Sequence, residues 1–242
     1  MAKKTRTPAP PTQGPKRRDS KAGSSSPLDA IPLWGFLAAA VGILAIVAVV
    51  IMSTLGGSKK VDAVALKQTM TAAGCTLRDV KPYPPKDRQN FHNDLPTLTS
   101  PTHWSTFPPA AGGHYAAWAV WGFYRTAVNP RQVVHNEEHG AVALWWGPQV
   151  SSSTVDQLEA FYNEKPTGMF GTPIAGLGSK VALTAWTGDP TRYYQKGYYG
   201  IGHVAVCPRY DEAAFTAFRD AYRDKGPEGT PASYNEPGMG PQ

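Results

Sequence analysis

The chain is poor in cysteine, poor in charge over most of its length, and without any internal repeat. Of its 242 residues only two are cysteines, Cys75 and Cys207, so neither a cysteine-rich zinc scaffold nor a disulfide-dense miniprotein is on offer. Charged residues make up 17% of the chain and apolar residues 41%, which leaves ample material for one core. The missing charge is also unevenly distributed. Residues 1–29 hold seven bases and two acids, a net of +5, so the whole-chain value of +6 leaves only +1 for the other 213 residues (17 bases against 16 acids). A body so close to neutral lacks the basic face that nucleic-acid binding needs, and no nucleic-acid partner is expected.

From Ile31 to Leu55 there is no charged residue at all. Trp34 to Thr54 spans 21 residues, roughly 31 Å as helix, which matches a bilayer core of about 30 Å. The run is longer than the apolar region of a secretory signal, and "STLGGSKK" makes a poor cleavage site. The expectation is an uncleaved single-pass transmembrane helix over 31–55. The excess of bases before it keeps the N-terminus in the cytoplasm and sends the rest outside the cell membrane. Residues 1–30 read as a disordered basic cytoplasmic tail, 61–225 as the extracytoplasmic domain, and 226–242, "GPEGTPASYNEPGMGPQ", as a second disordered tail.

Both cysteines fall beyond the span, in an oxidising compartment, and a Cys75–Cys207 disulfide is expected. The chain-entropy model assigns about 5 kcal/mol to closing so long a loop. Helices are expected after Val61, after Ser153 and after Asp211, where apolar residues recur at helical spacing. Strands are expected at "AVWGFY" (119–124), "AVALWW" (141–146), "KVALTAW" (180–186) and "HVAVC" (203–207). Together they imply an α+β fold: one small mixed domain with a short sheet and flanking helices, preceded by the membrane helix. Strand order is not readable. The seven tryptophans and the Tyr193–Tyr194 pair suit either a core or a ligand groove.

All six histidines lie between residues 92 and 203. The informative stretch is "VVHNEEHGAVALWW", Val133 to Trp146. Asn129 as a cap, Pro130 in a first turn and Gly140 as a terminator suit a short helix, with His135 and His139 one turn apart on one face. A hairpin looping at Asn136–Glu138 would also bring the rings together, whereas an unbroken strand would hold them roughly 13 Å apart. The stretch matches the H-x-x-E-H pattern of some zinc hydrolases. No acid on a long downstream helix completes that site, so no catalytic residue is assigned.

"VHNEEHGAVALWW" resembles a block, "VHNLEHGAVVIWY", of the bacterial domain of unknown function 3105. "PPAAGGHY", Pro108 to Tyr115, is similar to that family's "PPTSGPHY"; His92 in "FHND" and the closing "CPRYDEAAFTAFRDAY" extend the resemblance over about residues 75–225. Departures are Glu137, where the family usually has leucine, and Ala110, Ala111 and Gly113. The resemblance implies a membrane-anchored envelope protein and a choice of residues, not a reaction. Combined with local geometry, it points to a shared site of His114, His135 and His139, with Glu138 as ligand or orienting group and His92 as a further member. Such a set suits zinc or copper. The rival reading is a hydrogen-bonded cluster that locks loops in a structural or partner-binding envelope domain.

Overall fold

The computed structural model describes residues 62–82, 104–193, 195 and 197–241. The basic tail, the 31–55 span and His92 and His103 lie outside these residues. Among the described residues no helix is long and apolar enough to cross a membrane.

Among the described residues the architecture is α+β, with four α-helices and a five-stranded sheet. Helix α1 (Ala63–Ala72) starts where the Asp62 carboxylate accepts from the amides of Val64 and Ala65, and buries Leu66 and Met70, one turn apart. It runs into β1 (Thr76–Val80). Helix α2 (Pro130–Glu138) decides between helix and hairpin for the histidine stretch. Asn129 accepts from Arg131 N at 3.0 Å, Pro130 occupies the first turn, and the chain leaves the helix through Gly140 at φ 108°. Strand β2 (Val142–Trp146) follows at once. Helix α3 (Ser152–Glu164), capped by Ser151, crosses to β3 (Met169–Pro173), and β4 (Val181–Thr187) and β5 (Ile201–Cys207) follow. Helix α4 (Glu212–Tyr222) is capped by Asp211.

The sheet order is β1-β5-β4-β2-β3, antiparallel except for the β2–β3 pair, which the α3 crossover makes parallel. All five residues of β2 are buried because both faces of the central sheet are covered. On one face Val142, Leu144 and Trp146 join Val181, Leu183, Ala205 and Cys207 beneath α1, α3 and α4, with Leu158, Phe161, Phe215 and Phe218 as the helical contribution. On the other face Ala143, Trp145, Phe170 and Ala182 meet Val133 of α2 and Trp121 of the preceding loop. The expected disulfide is present, joining Cys75 to Cys207 across 132 residues.

Two strands escaped the sequence reading. β1 is an edge strand, "TLRDV", with mostly exposed side chains, and β3, "MFGTP", carries a glycine and a proline. "AVWGFY" is not a strand. Only Phe123 bridges Gly171, because the Phe123 ring lies over that glycine and Trp121 turns into the core.

The expectation of a disordered C-terminal tail is also corrected. Residues 226–241 fold back over the end of α2. Gly168 N donates to Asn235 O, Trp121 N to Met239 O and Gly238 N to Trp121 O. The Asn235 side chain is buried and donates to His139 O at 3.0 Å. At Gly226 a β-carbon would lie 2.2 Å from Glu138 O, so the strap passes too close to α2 for any other residue. The composition looked like a linker; the order comes from backbone groups that α2 and β3 leave for it.

Candidate metal centre

Helix α2 is unusual in what it buries. Val133 and Val134 are apolar, but His135, Asn136, Glu137 and Glu138 are buried too. Each of these polar side chains must find partners on the sheet or the covering loops. Asn136 finds them in the Ala119 backbone, accepting from Ala119 N at 3.0 Å and donating to Ala119 O at 2.9 Å. That pair fixes the loop that carries Trp118 and Trp121.

Glu137 faces the sheet. Trp145 Nε1 donates to Thr184 Oγ1, and Thr184 in turn donates to Glu137 Oε1. Burial pushes this carboxyl well above the ordinary range, opposed in part by the Thr184 bond, so the site favours its protonated form. It takes no part in the histidine site, in keeping with its place at a position that resembled an apolar one.

Four of the five predicted residues, His114, His135, Glu138 and His139, lie in this region, and the fifth, His92, lies outside the described residues. His114 lies in the loop before α2, its Nδ1 2.7 Å from Gly112 O. His135 Nδ1 lies 2.8 Å from Tyr115 O. A carbonyl only accepts, so each Nδ1 carries a proton and donates it. His114 Nε2 is 3.2 Å from Glu138 Oε2, and His135 Nε2 is 3.9 Å from the same oxygen and 3.1 Å from His139 Nε2. Burial, then the neighbouring His114, lower the His135 pKa to about 3, so its imidazole is neutral at pH 7. Two overlapping sets of ligand atoms, His114–His135–Glu138 and His135–His139–Glu228, each lie within 4.8 Å of one another.

Glu228 was not anticipated. It belongs to the C-terminal strap, where its Oε2 lies 2.9 Å from His139 Nε2. The His139 hydrogen bond holds its carboxyl below the ordinary range. Nothing in the sequence around it signals a site; only the fold-back of the strap brings it there. Tyr193 was seen only as one of many aromatics, yet its hydroxyl donates to Glu138 Oε1. Trp118 packs against His135 and His139, with ring centroids 5.4 and 4.9 Å away, and Trp186 meets the edge of His114 at 5.9 Å. Trp121, Trp145 and Trp186 are core residues rather than a groove.

The surroundings of the three rings differ. Carbonyl acceptors set the orientation of His114 and His135. His139 Nδ1 is buried and has no hydrogen-bond partner among the described residues. The 3.2 Å contact of His114 Nε2 with Glu138 Oε2 is satisfied either by a proton on that nitrogen or by a metal ion between the two atoms. A buried set of three imidazoles, two of them oriented by backbone carbonyls, and two carboxylates is the donor chemistry of a divalent transition-metal site.

These features define an α+β domain with a buried histidine–carboxylate centre. The chain belongs to the family described as Protein of unknown function (DUF3105), which matches residues 97–234, more than half of its length. That span contains α2, the whole His114–His135–His139–Glu138 cluster and Glu228. No curated protein and no solved structure matches the chain.

Proposed function

We propose that this protein is a metal-binding module of the cell envelope, held at the outer side of the cytoplasmic membrane by the uncharged segment 31–55. The observation that carries the metal reading is the convergence of His114 and His135 Nε2 with Glu138 Oε2, next to a second set, His135–His139–Glu228, that shares His135, two of the rings being pinned through Nδ1 to backbone carbonyls. Zinc–nitrogen bonds of about 2.0–2.1 Å set ligand atoms about 3.3 Å apart around a tetrahedral ion. Separations of 3.1 and 3.2 Å in this cluster fall near that spacing. Zinc and copper(II) both suit the nitrogen-rich set. The buried disulfide agrees with an oxidising compartment.

Full-length protein purified from membranes should contain about one zinc or copper per chain by elemental mass spectrometry. His135→Ala/His139→Ala should bring the content to background while leaving the circular dichroism spectrum intact. Metal at background in the parent protein, with no uptake on titration, would overturn the reading. The envelope placement is tested separately, by protease added to intact spheroplasts; full protection of the domain would exclude it.

A second reading keeps a specific observation in its favour. His139 links α2 to the C-terminal strap through Glu228 and, by its carbonyl, through Asn235. Under that reading the cluster is a loop lock, and the double histidine variant loses stability but no metal. A hydrolase is supported less well. Its water-activating carboxylate should stand back from the ligands, whereas Glu138 lies 3.2 Å from His114 Nε2 and accepts from Tyr193.

A further inference from the structure

We infer that this centre holds one divalent ion at a time, in either of two positions that share His135, and that the ion enters and leaves through the outer one. The inference rests on the metal reading above and adds how the site is loaded and unloaded.

The ligand atoms divide into two sets. His114, His135 and Glu138 form the inner set, and His135, His139 and Glu228 the outer, the ligand atoms of each lying within 4.8 Å of one another. Both offer two imidazoles and one carboxylate, so both suit the same class of ion. Only His135 belongs to both. Its Nδ1 lies 2.8 Å from Tyr115 O, which leaves Nε2 as its one ligating nitrogen. A single lone pair binds a single ion, so the two complete sets exclude each other. A second ion beside the first would have only two protein ligands, and would bring another double charge into a largely buried region.

The sets differ in support and in exposure. All three inner side chains are buried, and each is oriented by a group outside the set: His114 by Gly112 O, His135 by Tyr115 O and Glu138 by the Tyr193 hydroxyl. The outer set reaches towards solvent, with the Glu228 side chain 27% exposed. Its backbone is fixed there, since Glu228 N donates to Glu138 O, and a β-carbon at Gly226 would lie 2.2 Å from the same oxygen. Glu228 is therefore a placed ligand at the surface end of the centre. His139 has a buried Nδ1 with no hydrogen-bond partner among the described residues. A ligating imidazole that lacks such a partner binds about 10–100-fold more weakly. The inner position is the tighter one and the outer the more accessible.

An ion arriving from solvent meets Glu228 and His139 first. It reaches the inner position by exchanging them for Glu138 and His114. His135 stays bound throughout, its Nε2 being 3.1 Å from His139 Nε2 and 3.9 Å from Glu138 Oε2. At no stage is the ion without a protein ligand. Release retraces the same exchange.

The test loads the full chain in detergent with copper(II), counts the bound ion, and follows its release to excess EDTA by the visible and electron paramagnetic resonance signals. Circular dichroism checks each variant for folding. The parent should take up one copper; no uptake overturns the metal reading and the inference with it. His139→Ala and Glu228→Gln should each keep one copper in the inner position, with release slowed at least about tenfold. His114→Ala, with Glu138→Gln as a second variant of the same set, should keep one copper in the outer position, bound at least about tenfold more weakly and released faster than in the parent. His135→Ala, which breaks both sets, should fall to background. Two coppers per parent chain would make the centre binuclear and overturn the inference while leaving the metal reading in place. Background copper in the outer-set variants, or in both inner-set variants, would show one site that needs all of its ligands at once. Release at the parent rate from His139→Ala and Glu228→Gln would show that the ion does not pass through the outer position.

Discussion

The helical face of the sheet and the α2 face differ in what they bury. Under α1, α3 and α4 lie Leu144, Trp146, Leu183, Phe161, Phe215 and Phe218, together with the Cys75–Cys207 bridge. Under and beside α2 lie Trp145, Phe170 and Val133, but also Thr184, Glu137, Asn136, Glu138 and three histidines. The first face removes apolar area from water and staples the chain ends of the domain. The second encloses polar groups whose desolvation works against folding unless every one finds a partner. The contrast shows a division of labour: stability concentrated on one side of a sheet, and a polar centre on the other that the apolar side is strong enough to carry. The mixed sheet makes this possible, because alternate residues of β2 serve opposite faces.

The comparison is tested hardest on the apolar side. Phe215→Ala should lower the unfolding free energy by about 3–5 kcal/mol, read by urea denaturation, since the ring is fully buried and leaves a cavity. Metal content of the remaining folded protein should be unchanged. Loss of metal at full helicity would show that the two faces are coupled. Next in size, Cys75→Ser/Cys207→Ser should cost about 2–5 kcal/mol, because the bridge closes a loop of 132 residues. The same midpoint in parent and variant would place the stability elsewhere.

On the polar side the effects should be smaller. Glu137→Leu exchanges a buried carboxyl whose pKa burial raises, and whose Oε2 has no hydrogen-bond partner among the described residues, for an apolar side chain. Stability should stay within about 1 kcal/mol of the parent, and metal uptake should not change. A loss above about 3 kcal/mol would make the Trp145–Thr184–Glu137 chain a structural support and blur the contrast. The smallest effect concerns the edge strand. His203, stacked on Tyr222, lies 2.7 Å from Asp79 of β1 and 2.8 Å from Thr187 of β4. The His203 hydrogen bond holds the Asp79 carboxyl below its ordinary value. A lowered folded-state pKa contributes stability above the unfolded value, about pH 4, that is lost as pH falls through the folded one. Asp79→Asn should therefore cost less than about 1 kcal/mol at pH 7, and progressively less below pH 4, in denaturation midpoints measured across that range.

Local signals made part of this molecule legible. Asn129, Pro130 and Gly140 bound α2, Asp211 caps α4, and continuous apolar runs mark β2, β4 and β5, because each of these effects acts within a few residues; the helix expected after Ser153 is α3, whose cap is Ser151, two residues earlier. The i, i+4 spacing of His135 and His139 put two rings on one side of a turn, and the presence of two cysteines left Cys75 and Cys207 as the one possible pair. His114 joined them through a resemblance between blocks. The edge strands β1 and β3 were not legible, since an exposed or glycine-interrupted strand acquires its identity only from the neighbour it pairs with.

What remained was decided by tertiary structure. Whether Glu137 or Glu138 faces the histidines depends on how α2 is rotated on the sheet, which Val133, Val134 and the Thr184 contact settle together. The tautomers of His114 and His135 depend on carbonyls at Gly112 and Tyr115, set by a loop whose own pattern is only proline, glycine and alanine. Glu228 depends on a strap with the composition of a linker, ordered because α2, β3 and the Trp121 loop leave backbone groups that it satisfies. The sequence by itself determined most helix ends, the three apolar strands, the spacing of the paired histidines and the cysteine pair, because these follow from contacts within a turn or, for two cysteines, from there being one possible pair. The tertiary structure alone decided the strand order, the buried orientation of each carboxylate and the arrival of Glu228, because each requires groups far apart in the chain to compete for the same buried hydrogen bonds.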